Sequence, residues 1–244
     1  MRQRAISDVP LIVRWALACL LAGQILFAAV QPRPAATAQA LPAAPALDVL
    51  RATSLGDPIP FAQWLTLYLQ AFDNQPGISI PFLDLDYGKV QTWLTRILDL
   101  DPIGQYPLLM AAQVYGQVSD EAKQRQMLEF VHSQFYADPN RRWPWLAHAA
   151  IMAKHRLHDL PLALRYARAL REHATGVQVP SWARQMEIFL HEDMGEYESA
   201  KVLLGGLLHS GTVTDPHEIH LLMERLEAIE AAEKSSHASK RRLR

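Results

Sequence analysis

Helix-forming segments recur along this chain at a step of 37 residues, and no other feature limits its fold as much. Asp101-Pro102 is followed at that step by Asp138-Pro139, and Leu108 by Trp145 and Trp182. Tyr115, Met152 and Phe189 keep the same step, and Trp93, Phe130, Ala167 and Leu204 keep it three times over. A unit of this length is one pair of helices with an apolar face that it cannot bury alone, so copies must stack into a continuous core. The expected fold is therefore all-α, built from stacked antiparallel helix hairpins. Such folds usually bind and rarely catalyse.

The N-terminal region sets the expected location. Leu11 to Val30 is almost continuously apolar, interrupted by Arg14 and Gln24. Twenty residues at about 1.5 Å each span about 30 Å of hydrocarbon. Arg2, Arg4 and Arg14 lie on the N-terminal side and only Arg33 lies close on the other. The positive-inside rule then puts residues 1–10 in the cytoplasm, with 11–30 as a signal-anchor in a bacterial inner membrane and the rest in the periplasm. The same stretch also fits a cleaved signal peptide, with Ala38-Gln39-Ala40 as the cleavage site. The one cysteine, Cys19, lies inside the apolar run, where Ala16 replaces the leucine a lipoprotein signal would need. The exported part has no cysteine and must be stabilised by its own core.

Residues 31–58 read as a Pro/Ala-rich linker with a short helical piece at 47–54, and residues 59–233 as the helical repeat domain. Residues 234–244, with Lys234, Lys240, Arg241, Arg242 and Arg244, read as a basic disordered tail. With a net charge of −1 and no basic stripe interleaved with aromatics, a nucleic-acid partner is not expected. Half the residues are hydrophobic, enough for a sizeable core.

From Phe61 the periodicity is helical, with Phe61, Trp64, Leu65, Tyr68, Leu69 and Phe72 forming one apolar stripe. Asp73-Asn74-Gln75-Pro76-Gly77 ends it, and Ile78, Ile80 and Phe82 predict a loop packed on the domain. A second helix over 84–100 is capped by Asp84 or Asp86.

The run LDYGKVQTWLTRILDLDP resembles the second helix and exit turn of a tetratricopeptide repeat. Tyr87 matches the family's aromatic, Ile97-Leu98 its apolar pair and Asp101-Pro102 its closing Asp-Pro. QYPLLMAAQVYG resembles the first helix of the next copy, through Leu108, Ala111, Ala112 and Tyr115. Trp145, Ala149 and Met152, with Ala163 and Ala167, continue the likeness, followed by Trp182, Met186 and Phe189 with Gly195, Tyr197 and Ala200. A closing helix over 216–232 places Ile219, Met223 and Leu226 in the same register. The family's usual period is 34 and its Trp-Leu-Gly-Tyr signature is never complete here. The resemblance implies a right-handed α-solenoid, here behind the single transmembrane helix expected over 11–30. It also implies a concave groove for a protein or peptide partner, which the anchor would make membrane-associated. Carried over by register, the groove residues are Gln113 and Gln117, Lys154, and Glu187 and His191, with Trp143 as an aromatic anchor.

The remaining candidates are weighed against packing. Trp145 and Trp182 are expected to fill spaces between repeats, while Ala112, Ala149 and Ala163 let helices approach. Gly205-Gly206 is expected to permit a close helix contact, and Arg141-Arg142-Trp143 to form an exposed turn. His148, His155 and His158 are the nearest approach to a metal cluster, and His217 and His220 form a second i,i+3 pair. Both are read as polar helix-end residues, so no metal, cofactor or catalytic group is expected. A His-based metal protein or enzyme, and a self-associating envelope subunit, are the alternative functions.

Overall fold

The computed structural model describes residues 9–31, 38–211, 213 and 215–242, the last seven as backbone alone. Arg2, Arg4, Arg33, Arg244 and the side chains of Lys240, Arg241 and Arg242 lie outside the described residues. Eleven α-helices carry nearly all the regular structure among the described residues.

Two units are described separately. The first holds α1, Leu11–Val30, which is exposed along its whole length and is long and apolar enough to cross a membrane. It also holds a two-stranded ribbon, Asn74–Gln75 paired with Ile78–Ser79. Gly77 turns the ribbon at φ 79°, a conformation glycine adopts without steric penalty. Gln39 and Gln75 exchange two hydrogen bonds: the Gln39 N–H donates to Oε1 at 2.8 Å, and Nε2 donates to the Gln39 carbonyl at 2.9 Å.

The second unit is the helical domain, and it begins earlier than the sequence suggests. Leu41 and Leu50 are core residues, with Ala44 and Leu47 packed beside them. Lys89 donates to the Leu41 carbonyl at 2.9 Å and Trp93 Nε1 to the Pro42 carbonyl at 3.0 Å. Residues 41–58 are thus part of the domain and not linker. The prolines leave few backbone donors to satisfy, and the alanines and leucines supply the surface to bury.

Helices α2 (Leu47–Thr53) and α3 (Pro58–Gln70) lead into α4, Tyr87–Leu100. Asp86 caps α4 by accepting from the Lys89 N–H at 3.2 Å. Ile80 and Phe82, in the connecting loop, pack on the core as expected. After α5 (Tyr106–Leu109) come α6 (Glu121–Phe135), α7 (Pro139–His155), α8 (Leu160–His173), α9 (Ser181–Asp193), α10 (Tyr197–His209) and α11 (Pro216–Arg242). Each packs mainly on its neighbours in sequence. α11 continues past Glu233, where the repeat domain was expected to end. Residues 224–242 contain no glycine or proline to stop it.

Residues at the 37-residue step are buried to different degrees on alternate helices. In the second helices, Trp93, Phe130, Ala167 and Leu204 are all buried. In the first helices, Leu108 is buried, Trp145 is half-buried and Trp182 is 48% exposed. Ala112, Ala149 and Ala163 are fully buried, as their size requires where helices approach. Gly205 and Gly206 depart from expectation, because an added Cβ at either meets nothing within 4 Å. Replacing Gly206 by Ala therefore raises α10 stability by about 1 kcal/mol, measured as a higher denaturation midpoint.

Long-range polar links join residues at comparable separations. Gln91 and Gln126 are joined across 35 residues, Glu129 and Arg165 across 36, Gln105 and Trp145 across 40, and Lys154 and Asp193 across 39. The last step is shorter: Gln185–Glu218 and Glu192–Arg225 each span 33 residues, and Lys201–Glu233 spans 32. α11 thus sits one helical turn out of the expected register. Leu222 and Ile229 become its buried residues, and Met223 turns outward.

The turns follow the same spacing. His158 (φ 51°) and Gly195 (φ 73°), a period apart, both take the left-handed conformation where a first helix ends. Pro144 lies inside α7 and cannot donate to the Asn140 carbonyl. Gln178 Nε2 reaches that carbonyl at 3.3 Å, while Asn140 Oδ1 accepts the Gly176 N–H at 2.7 Å.

Candidate partner-binding face

Alternate helices, α5 with its continuation, α7, α9 and α11, are linked through single side-chain contacts. α5 passes into one wide π turn at Met110–Val114 and a 3-10 turn at Tyr115–Gln117. A Cβ on Gly116 would lie 2.8 Å from the Ala111 carbonyl, so only glycine fits there. Tyr115 is pinned beneath: its carbonyl accepts from Tyr87 at 3.0 Å, and its hydroxyl donates to the Leu69 carbonyl at 3.4 Å. The side chains of Gln113 and Gln117, on this segment, are exposed. Extra residues of this kind often mark functional segments.

From Gln117 the links run across the helices. Arg156 donates to the Gln117 carbonyl at 3.4 Å, Lys154 pairs with Asp193, and Arg225 Nε donates to Glu192 at 3.0 Å. Trp143 meets Trp182 edge to face at 5.5 Å, joining α7 to α9. Arg225 covers the Phe189 ring at 5.2 Å, joining α9 to α11. Lys154 is therefore already neutralised by Asp193, and Trp143 is one half of an aromatic pair whose other half is the more exposed.

Glu187 and His191 do not belong to this face. Glu187 is 2% exposed and His191 is buried. Glu187 accepts from Arg168 Nε at 3.0 Å and Arg171 Nε at 2.5 Å, both on α8. His191 Nδ1 lies 2.7 Å from Glu196 Oε2. With Ser199, Val202 and Leu203 these residues line a separate cleft of about 450 Å³ between α8, α9 and α10. The carried-over register fails on α9 because Glu187 and His191 share one face while Phe189, two residues away, lies about 200° round the helix. Trp182, expected to fill the space between repeats, packs on Trp143 yet stays 48% exposed, and Arg141-Arg142-Trp143, expected as an exposed turn, lies within α7. Arg142 is buried inside α7.

The histidines of the possible metal cluster are separated in kind. His155 and His158 are exposed and His148 is half-buried. No group of three metal-ligating side chains occurs among the described residues. Burial lowers the pKa of His148 below the usual histidine value, opposed by a hydrogen bond with the Ala112 backbone. Burial and then the Arg165 charge lower that of His132 against Glu129, with Tyr136 at 3.1 Å. The unfolded chain therefore takes up protons first, and stability from both groups is lost as pH falls below about 6.5. The urea midpoint is expected to drop between about pH 7.5 and pH 5.5, and to drop less in the double variant His132→Asn, His148→Gln. An equal drop in both proteins would exclude these two histidines as its source.

Comparison with protein-family models, with curated proteins and with solved structures gives no match to this chain. The class defined by the structure is a helical protein with neighbouring helices packed in sequence and one N-terminal helix apolar enough to span a membrane.

Proposed function

We propose that this chain is a membrane-anchored, tetratricopeptide-like scaffold that binds a protein or peptide partner along its first-helix face. α1 holds it in a bacterial inner membrane, and the helical domain faces the periplasm. The observation that carries the reading is the ladder of links between first helices at steps of 33–40 residues. A repeated step of this kind supports a stacked-hairpin array, and arrays present extended binding surfaces. The ladder leaves Gln113 and Gln117 exposed, together with Ile151, Trp182 and Phe189. Exposed aromatic and aliphatic side chains among amides and paired charges suit the anchoring of a partner at a few points. Anchoring in the membrane raises the effective concentration of partners that share it.

The test is photocrosslinking from single positions in the full-length protein in cells. Gln113, Ile151 and Trp182 are expected to capture one common partner, and Glu172 on α8 is expected not to capture it. Capture from Glu172 alone, or different partners at each of the three positions, would sink the reading.

A further inference from the structure

Helix α3 is apolar on both sides. Its thirteen residues, PIPFAQWLTLYLQ, include no charged side chain. Ala62, Leu65, Thr66 and Leu69 face the core. The outward face is uncovered: Ile59, Trp64 and Leu67 are 49%, 57% and 62% exposed. These three fall within about 140° of the helix circumference, with the amides of Gln63 and Gln70 between them. Beside them a groove of about 360 Å³ runs from Gln63 and Leu67 to Tyr106 and Pro107. Ile103 and Tyr106 extend the exposed apolar surface. Stacked helical arrays normally end in a polar outer face. A helix that is hydrophobic all round is covered by protein or by lipid.

The path of the chain says which. Tyr68 of α3 lies 5.5 Å from Trp93, and Trp93 holds the Pro42 carbonyl at 3.0 Å. The stretch that follows α1 therefore joins the domain beside α3. Ten residues, 31–40, separate Val30 from the buried Leu41, and such a chain extends at most about 36 Å. We infer that the outward face of α3, through Ile59, Trp64 and Leu67, rests on the lipid surface into which α1 inserts. This rests on the membrane-anchor reading above. Trp64 stacks on Phe61 at 5.9 Å and on Tyr68 at 6.0 Å, so its indole is held on a rigid aromatic base. Tryptophan at such a position suits the headgroup layer, where one edge of the ring is apolar and the other is wet. With no charge on the face, the contact requires no anionic lipid and is insensitive to salt.

The experiment uses the full-length protein in phosphatidylcholine vesicles. A fluorophore is attached at native Cys19, or, in a Cys19→Ser background, at Leu67→Cys, Ile59→Cys or Val202→Cys. Each label is exposed to aqueous iodide and to lipids brominated near the headgroup, or in mid-chain for Cys19, which lies half way along α1. The labels at positions 67 and 59 are expected to be quenched by the lipid, with iodide quenching about threefold weaker than at position 202. Iodide access equal to that at position 202, with Cys19 still quenched by lipid, overturns the inference and leaves the anchor standing. Shielding from iodide without lipid quenching shows a protein surface, such as a second copy, on α3 and also overturns it. A Cys19 label that lipid does not quench removes the anchor reading and the inference with it.

Discussion

Arg142→Met is expected to lower the unfolding free energy of the full-length protein by about 3 kcal/mol, read as an earlier denaturant midpoint in mild detergent. Arg142 is buried, and its guanidinium joins three segments. Nη1 donates to the Gln134 carbonyl at 2.6 Å and lies 3.3 Å from Gln134 Oε1; Nη2 donates to the Pro102 carbonyl at 2.9 Å. Gln134 is in the last turn of α6, where carbonyls lack helical partners and a cation opposes the negative end of the helix dipole. Methionine keeps the volume but leaves those acceptors without a donor, and each costs about 1–3 kcal/mol when shut away from water. Arg142→Lys is expected to fall between the two, because one ammonium cannot reproduce the guanidinium's spread of donors. A midpoint unchanged in Arg142→Met would show that water replaces the bonds and that the residue is not a structural tie.

The second large effect is at Glu187. Its carboxylate is enclosed while its partners Arg168 and Arg171 are 52% and 38% exposed. Glu187→Gln removes the charge that both guanidiniums face, for a loss of about 2–3 kcal/mol, below the full cost of breaking a buried pair because the arginines can rehydrate. The triple change Glu187→Leu, Arg168→Met, Arg171→Met is expected to recover most of it, since apolar groups of similar volume often replace a buried ionic cluster without loss. Failure of the triple variant to recover would mean the cleft needs its polar lining for another reason. Partner capture from Gln113 is expected to survive in both variants, because Glu187 and His191 lie on the other side of α9.

Helix positions were legible wherever one side of the helix is apolar and the other polar. α4 follows directly from its aspartate cap. The spacing of Trp93, Phe130, Ala167 and Leu204 reappears as four buried positions on α4, α6, α8 and α10. What escaped was rotation about a helix axis. A repeat length says that two helices are alike, but a rotation of about 100°, one residue, leaves the composition alike while exchanging buried for exposed residues. This is why Met223 and Leu222 change places, and why Glu187 and His191 were assigned to the binding face. The π turn at Met110–Val114 has no stripe of its own; Gly116, forced by the Ala111 carbonyl, was the one mark it left. Leu41 and Leu50 were hidden for a different reason. Pro- and Ala-rich sequence lacks periodicity, so the hydrogen bonds from Lys89 and Trp93 that seat it could not be read from pattern.

The apolar interior is not one continuous body. A large cluster extends from Leu41 to Leu190, and a small one gathers Ile188, Ala200, Leu204, Leu222 and Ile229. Both draw on α9, through residues two apart on opposite sides of that helix. Cooperative opening follows such seams, with free energies below that of global unfolding. α10 and α11 are therefore expected to open as a unit and to exchange their amide protons with water sooner than the rest of the domain in a hydrogen-exchange measurement. Arg225, which shields Phe189, and Lys201, which ties α10 to α11, travel with it. Each transient opening uncovers the last step of the first-helix face while the earlier steps stay closed.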